Sequence, residues 1–104
     1  MSEVVWLPQA LVDVKRLHDF IKPNNPEAAS RAARVILTGA DRLQAAPHSG
    51  RPMGDDTPHR ELFLPFGGGA YVLRYVLEHP DRVVIVRVWH DREDRMQPTS
   101  PFRE

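Results

Sequence analysis

The chain has 104 residues and no cysteine, and its fourteen basic and fourteen acidic side chains give a formal net charge of zero. This length allows one domain with a modest core, and the lack of cysteine excludes disulfide and thiolate chemistry. A neutral balance disfavours a general nucleic-acid binder, because phosphate neutralisation needs a basic face. With no signal-peptide pattern and no apolar run of about 18 residues, we expect a soluble, cytoplasmic protein without membrane contact.

The chain begins with a predicted strand and helix. Residues 3–7 form a short strand candidate, which Pro8 ends or confines to a sheet edge. Apolar residues then recur at helical spacing over 9–22, with polar side chains such as Asp13 on the opposite side. The apolar stripe of this first helix comprises Leu11, Val14, Leu17 and Ile21, with Phe20 beside it.

A second helix is predicted after the linker at 23–25. Asn25 can cap this helix, Pro26 suits its first position and Glu27 complements its positive end. The pattern continues to about Ala46. Its many alanines allow close approach, so we expect the two helices to pack as an antiparallel hairpin. The inner stripe comprises Ala29, Ala33, Ile36, Ala40 and Leu43, with Ala32 and Leu37 alongside.

Three strands are predicted after a long loop at 47–59 that is rich in proline and glycine. The triglycine at 67–69 and a turn at 79–81 join them as an antiparallel meander. The strand ranges are 60–66, 70–78 and 82–90. From Asp91 onward the chain is charged and we expect it to fray, so that 95–104 forms a flexible tail.

These elements predict an α+β fold: an N-terminal strand, an α-helical hairpin, then a three-strand antiparallel meander covered on one face. We expect a single domain over 1–104, with its core at about 3–94. Arg74 and Arg87 interrupt apolar strands, and burying an unpaired charge is costly, so we place both on the open face. The residues then expected beneath the helices are Val84, Val86 and Val88, with Tyr71, Leu73 and Tyr75; Val83, Ile85 and Trp89 would join Arg87 on the open face.

The sequence contains no specific catalytic motif. Five histidines lack metal-ligand spacing, so no metal and no cofactor is predicted. The triglycine fits a hairpin turn better than a phosphate loop. An acid cluster for nuclease chemistry is an alternative, although acids at a strand end are usually just solvated. Its members are Glu61, Asp91, Glu93 and Asp94.

Arginines and a histidine gather on or beside the predicted sheet. His90 can act as an acid or base near neutral pH, and arginine can hold a phosphate. Alternatively, these cations bind the acids of a partner, or pair with Glu61, Glu78 and Asp91 in the same chain. The candidate contact residues are Arg60, Arg74, Arg87, Trp89, His90 and Arg92.

Four segments in order carry a family resemblance: GR at 50–51, REL at 60–62, YVLRY at 71–75 and VIVRVWHDRED at 84–94. Behind a two-helix N-terminal half, this combination resembles the RelE/ParE superfamily of bacterial toxin–antitoxin toxins. It is most similar to the ParE branch, the plasmid stabilisation proteins. The resemblance covers about residues 3–94 and implies the fold predicted above.

The resemblance also implies a type II toxin that a cognate antitoxin holds inactive. That partner would be ParD-like or another acid-tailed antitoxin, whose tail adds to the sheet edge and covers the helical hairpin. ParE-like members inhibit DNA gyrase, whereas RelE-like members are ribosome-dependent mRNA endoribonucleases that need no metal. Nucleic acid would be bound only through the antitoxin complex.

Two departures from the RelE pattern favour gyrase inhibition. The chain has only two lysines, neither on the predicted sheet, and no tyrosine follows His90. In this interpretation the six candidates are contact residues and none is catalytic. The alternative is an mRNA endoribonuclease, with His90 as acid or base and Arg74 or Arg87 on the phosphate. A third possibility is a toxin fold that has lost its toxicity.

Overall fold

The computed structural model describes residues 2–79 and 81–93. The sequence predictions for Pro80, for Asp94 and for the tail at 95–104 lie outside this described part. In chain order the elements are β1 (Glu3–Trp6), α1 (Pro8–Ile21), α2 (Pro26–Arg42), β2 (Arg51–Pro52), β3 (His59–Phe66), β4 (Gly69–His79) and β5 (Arg82–His90).

The five strands form one mixed sheet in the order β1-β5-β4-β3-β2. β3, β4 and β5 are the predicted antiparallel meander, and the two helices pack on one face of it. β1 lies at the edge and pairs in parallel with the first half of β5, ending where Trp6 meets Ile85. The α+β architecture predicted from the sequence is therefore confirmed. Among the described residues, no helix is long and apolar enough to cross a membrane.

The start of α2 follows the local chemistry of the sequence. The Ala28 N–H donates to the Asn25 side chain at 3.0 Å, Pro26 occupies the first helical position and Glu27 lies in the first turn. All three expectations at this end are confirmed. The helix ends at Arg42, a turn earlier than predicted, and the expected loop at 47–59 contains the two-residue strand β2.

The predicted apolar stripes were wrong at several positions. In α1, Leu11 is 52% exposed and Phe20 is 83% exposed, whereas Asp13, which we placed on the polar side, is 1% exposed. Leu37 of α2 is 45% exposed, whereas Gly39 of the same helix is buried against Leu64 of the sheet. α1 is thus rotated so that its buried stripe is Ala10, Asp13 and Leu17. Asp13 occupies this stripe because it binds the edge of β5, as described below.

The predicted faces of β5 were wrong over its first half. A register irregularity sets Arg74 opposite Arg87 but Tyr75 opposite Ile85, leaving Val86 as an extra residue. Such a bulge reverses the alternation of side chains along the strand. Val83 and Ile85 therefore lie in the core under the helices, where Val84 and Val86 were expected, while Val88 lies there as predicted.

Helix α2 packs tightly on β3 at Gly39. A Cβ atom built at Gly39 would lie 2.6 Å from both δ-carbons of Leu64, which is 2% exposed. Glycine costs a helix interior about 1 kcal/mol relative to alanine. Its presence here is explained by this contact, because only glycine leaves room for the leucine.

We expect Gly39→Ala to destabilise the fold by about 1 kcal/mol. Alanine gains about 1 kcal/mol of helix propensity, but overpacking an enclosed site typically costs about 1–3 kcal/mol. The free energy of unfolding from urea titration measures the net effect. Ser30→Ala, at an exposed position of the same helix, is the control and should stabilise slightly. A stabilising Gly39→Ala would show that Leu64 moves aside freely.

Candidate functional site

The open face of the sheet carries an arginine stacked on a tryptophan. The Arg74 guanidinium carbon lies 4.7 Å from the ring centre of Trp89. The same guanidinium donates to one carboxylate oxygen of Glu61, from Nε at 3.1 Å and from a terminal nitrogen at 2.8 Å. Both members of this ion pair are partly buried, with side chains 26% and 19% exposed. The pair and the ring hold Arg74 in one position.

A second stack extends this face towards β2. The Arg51 guanidinium carbon lies 4.9 Å from the ring centre of Phe63, which is 41% exposed. The register places Phe63 opposite Val72 and Val72 opposite Trp89, so the two aromatic rings flank a buried valine. We call the resulting surface the open-face cluster. It consists of Arg51, Glu61, Phe63, Val72, Arg74 and Trp89.

Arg87 lies opposite Arg74 in the register, but its guanidinium reaches to helix α1. It donates to the two carboxylate oxygens of Asp13 at 2.7 and 3.1 Å. These hydrogen bonds raise the pKa of Arg87, and the negative charge of Asp13 adds to the effect against the opposing influence of burial. The two arginines that interrupt the apolar strands β4 and β5 therefore already have carboxylate partners in this chain: Glu61 for Arg74 and Asp13 for Arg87.

Asp13 is buried because it completes the edge of β5. β1 ends at Trp6, so the second half of β5 has no strand neighbour on that side. The Asp13 carboxylate accepts the Val88 N–H at 2.9 Å, and Arg16 donates to the Val88 carbonyl oxygen at 3.3 Å. Side chains of α1 thereby replace a missing strand, since buried backbone groups need partners.

The last turn after β5 is held by the same helix. Arg16 forms an ion pair with Glu93 and also lies 3.2 Å from Asp13. Glu93 in turn accepts the His90 N–H at 3.2 Å. Asp13, Arg16 and Glu93 thus act as hydrogen-bond partners for the backbone of β5. The periodic pattern of α1 alone did not indicate this role.

His90 lies on the opposite face from Arg74. Its register partner is Tyr71, a core residue, and the two rings meet edge to face with centres 5.1 Å apart. The Arg92 N–H donates to His90 Nδ1 at 3.2 Å, so the ring proton of neutral His90 belongs on Nε2. Burial, and then the charge of Glu93, raise the pKa of Tyr71, which keeps its hydroxyl protonated near neutral pH.

Arg60 and Arg92 anchor loops. Arg60 donates to the carbonyl oxygens of Gly50 at 3.0 Å and His48 at 3.2 Å. Beside it, the Tyr75 hydroxyl accepts the Gly50 N–H at 2.9 Å and donates to Pro47 at 2.7 Å. Arg92 donates to the Gly68 carbonyl oxygen at 3.1 Å, on the β3–β4 turn. Both arginines therefore hold loops of this chain in place through hydrogen bonds to backbone carbonyl oxygens.

The structure therefore brings together only part of the predicted set. Arg74, Arg87 and Trp89 share the open face, whereas His90, Arg60 and Arg92 lie elsewhere. The alternative catalytic trio of His90, Arg74 and Arg87 is split between the two faces. The intramolecular pairing that we considered is found between Arg74 and Glu61, and His90 Nδ1 lies 3.4 Å from the Asp91 carboxylate. Glu78 instead pairs with Arg82, which is not one of the six candidates.

The sequence analysis did not select three residues that contribute to this site: Phe63, Arg51 and Asp13. Phe63 alternates with its buried neighbours along β3, and this pattern could have placed it on the open face. Arg51 joins the cluster because β2 pairs it opposite Glu61, which only the structure shows. Asp13 falls at helical spacing between Ala10 and Leu17, but a carboxylate was not expected there. In the described part of the chain, no three histidine or acidic side chains are placed to hold a metal ion. Glu61 and Glu93 each bind an arginine instead.

Comparison with known proteins identifies the family. The family model described as the ParE toxin of the type II toxin–antitoxin system parDE matches residues 4–95. The chain belongs to the ParE toxin family. Two relatives from Caulobacter vibrioides support this. Toxin RelE1 is 39% identical over 83 residues, covering 80% of this chain and 86% of that protein. Toxin RelE3 is 38% identical over 95 residues, covering 91% and 100%.

A solved structure shares the fold of this ParE-family toxin. The chromosomal ParDE toxin–antitoxin system from P. aeruginosa contains a chain that superposes with a TM-score of 0.70. The match covers 86% of this chain and 96% of that one at 21% identity. The toxin fold predicted from the family resemblance is thereby confirmed.

We expect Asp13→Asn to destabilise this ParE-family toxin by about 1–3 kcal/mol, because it removes the charge from a buried group with three partners. Glu61→Gln is the matched control, since it removes the charge of the carboxylate that pairs with Arg74, at a more exposed site than Asp13. It should cost about 1 kcal/mol or less. Urea unfolding compares the two variants. Equal losses would mean that completing the edge of β5 contributes nothing beyond an ordinary ion pair.

Proposed function

We propose that this ParE-family toxin inhibits DNA gyrase by binding it through the open-face cluster, and that it does so in the cytoplasm. The observation that carries the proposal is the division of the candidate residues between the two faces. The histidine able to move protons faces Tyr71, while both strand arginines already bind carboxylates on other elements. A site that cleaves RNA needs proton transfer and phosphate binding at one place.

The open-face cluster has the character of a protein contact. Tryptophan and arginine are enriched among residues that dominate binding energy at interfaces. Here their side chains are fixed before binding, which lowers the entropic cost of association. Phe63 adds an exposed ring beside them. Arg74 and Trp89 of the cluster, with Arg87 beside them on β5, remain our proposed target contacts, whereas His90, Arg60 and Arg92 would contribute by shaping the adjoining turns.

The cognate antitoxin is the second partner, as for other members of a type II family. We propose that it is ParD-like or otherwise acid-tailed, and that nucleic acid is reached only through the toxin–antitoxin complex. The neutral charge of the chain supports this, since direct phosphate binding requires a basic face.

Ribosome-dependent mRNA cleavage is the second candidate, because the curated relatives from Caulobacter vibrioides are named RelE toxins. In this case His90 would be the acid or base. The arginine that hydrogen-bonds to the His90 ring is Arg92, through its backbone N–H, and not Arg74. The phosphate contact would have to come from the β3–β4 turn side of the molecule.

Expression of the toxin in bacteria distinguishes the two candidates. We expect loss of DNA supercoiling and induction of the SOS response while translated mRNA stays intact. Phe63→Ala should weaken gyrase inhibition about tenfold or more, as for an interface anchor. Phe20→Ala makes the same change at a ring that is 83% exposed on α1, and should have no effect.

His90→Gln completes this test. Glutamine can still accept the Arg92 N–H but cannot exchange protons at neutral pH, so toxicity should persist if the toxin acts by binding. Rapid mRNA cleavage on translating ribosomes with normal supercoiling, lost in His90→Gln, would replace gyrase inhibition with the ribonuclease mechanism.

A further inference from the structure

Arg51 is the one arginine of the sheet whose side chain has no hydrogen-bond or ion-pair partner among residues 2–79 and 81–93. The other strand arginines each have a partner within the chain: Arg74 with Glu61, Arg87 with Asp13, Arg82 with Glu3 and Glu78, and Arg60 with the carbonyl oxygens of Gly50 and His48. Arg51 itself is exposed, on the two-residue strand β2. Since Glu61 neutralises Arg74, the remaining positive charge of the open-face cluster belongs to Arg51.

Phe63 holds the Arg51 guanidinium in place without satisfying its hydrogen-bond donors. The guanidinium carbon lies 4.9 Å from the ring centre, and a ring attracts a cation but is at best a weak hydrogen-bond acceptor. Glu61 lies opposite Arg51 in the strand register, but one oxygen of its carboxylate accepts both hydrogen bonds from Arg74. The N–H donors of Arg51 therefore remain available, in the planar fork that matches a carboxylate.

The backbone beside Arg51 is fixed by a tyrosine of the core. Tyr75 is 0% exposed, and its hydroxyl accepts the Gly50 N–H at 2.9 Å and donates to the Pro47 carbonyl oxygen at 2.7 Å. Arg60 donates to the Gly50 carbonyl oxygen at 3.0 Å. Both backbone hydrogen-bonding groups of the residue before Arg51 are thus bound. They hold a two-residue edge strand that would otherwise open readily, because it buries so little surface of its own.

Only glycine fits at position 50 without displacing the tyrosine. A Cβ atom there would lie 2.7 Å from the Tyr75 hydroxyl oxygen and from a carbon of its ring, and 3.0 Å from the Glu61 carbonyl oxygen. Gly50, Arg60 and Tyr75 belong to three of the four segments that carry the family resemblance: GR, REL and YVLRY. These segments meet in one set of contacts, and that set fixes the backbone that carries Arg51.

We propose that Arg51 binds a carboxylate of the target protein, and that Gly50, Arg60 and Tyr75 are the positioning residues for this contact. The proposal rests on target binding through the open-face cluster. It names the chemistry that the target presents there: an aspartate or glutamate for Arg51, beside an apolar side chain that packs on Phe63.

The surroundings of Arg51 favour a carboxylate over a nucleic-acid phosphate. Binding to a nucleic-acid backbone uses several cations together, whereas the neighbouring arginines of β4 and β5 already pair with carboxylates of this chain. A single unpaired guanidinium beside exposed aromatic surface is typical of a contact that dominates a protein interface.

Substitution of Arg51 in the full-length toxin tests the carboxylate contact. Binding to purified gyrase is measured by calorimetry at low and high salt. We expect Arg51→Gln to weaken binding about 30-fold, as for an interface anchor, and to reduce the salt dependence because a charge pair is lost. Arg51→Lys should weaken it about tenfold, since lysine keeps the charge but lacks the fork. Arg31→Gln removes an equal charge from an exposed position of α2 and should change the affinity less than about twofold.

Tyr75→Phe tests the positioning residues, because it keeps the buried ring and removes the hydroxyl that binds Gly50. We expect it to weaken gyrase binding about fivefold alone and to add nothing in combination with Arg51→Gln, since Tyr75 acts through Arg51. Arg60→Gln, at a less buried position, should behave in the same way. Tyr71→Phe alters the other tyrosine of the core and should leave binding unchanged. Losses that add in the double variants, with folding checked by urea titration, would overturn the positioning role.

The outcomes separate this proposal from the identity of the target. Wild-type binding to gyrase that Arg51→Gln leaves unchanged, or that Arg31→Gln weakens equally, would overturn the proposal and keep gyrase as the target. If the wild-type toxin does not bind gyrase, the same variants are compared for growth arrest and mRNA cleavage in bacteria. Arrest without mRNA cleavage that is lost in Arg51→Gln would keep the carboxylate contact on a different target protein. Loss of mRNA cleavage in Arg51→Gln would assign Arg51 to a phosphate instead, and unchanged arrest would leave it no role; either result would overturn the proposal.

Discussion

The structure depends on how the bare half of one strand is completed. β1 has four residues and pairs with β5 only as far as Ile85, so the edge from Val86 to His90 lacks a strand partner. Carboxylates and a guanidinium from α1 and the final turn satisfy it: Asp13 and Arg16 at Val88, and Glu93 at His90. This arrangement fixes the rotation of α1, ties Arg87 to the helix and holds the residues that follow β5.

The extra residue in β5, Val86, decides which side chains of this strand enter the core. Since side chains alternate along a strand, one inserted residue exchanges the two faces on one side of it. Val83 and Ile85 then enter the core, while Arg87 and Trp89 stay on the open face, opposite Arg74 and Val72 in the strand register. The same alternation directs His90 towards Tyr71. His90 and the arginine-bearing surface are thus on opposite faces of the sheet.

Contacts within the chain hold the open-face cluster in place. Glu61 pairs with Arg74, which stacks on Trp89, while Arg51 stacks on Phe63. Two guanidinium groups and one carboxylate leave this cluster with one net positive charge. Aromatic and arginine side chains of this kind are enriched among the residues that dominate binding at protein interfaces.

The sequence alone determined the element order, the cap of α2, the antiparallel meander and the family resemblance, because these depend on local periodicity and turn chemistry. It also placed Arg74 and Trp89 on the open face. Only the tertiary structure decided that Asp13 is buried and Leu11 exposed, since that choice depends on a strand edge some seventy-five residues away. The bulge at Val86 leaves no mark in a run of β-branched residues, so the faces of Val83 and Ile85 could not be read from pattern. The close contact between α2 and Leu64 likewise depends on the tertiary structure, because only there does Gly39 meet the leucine side chain.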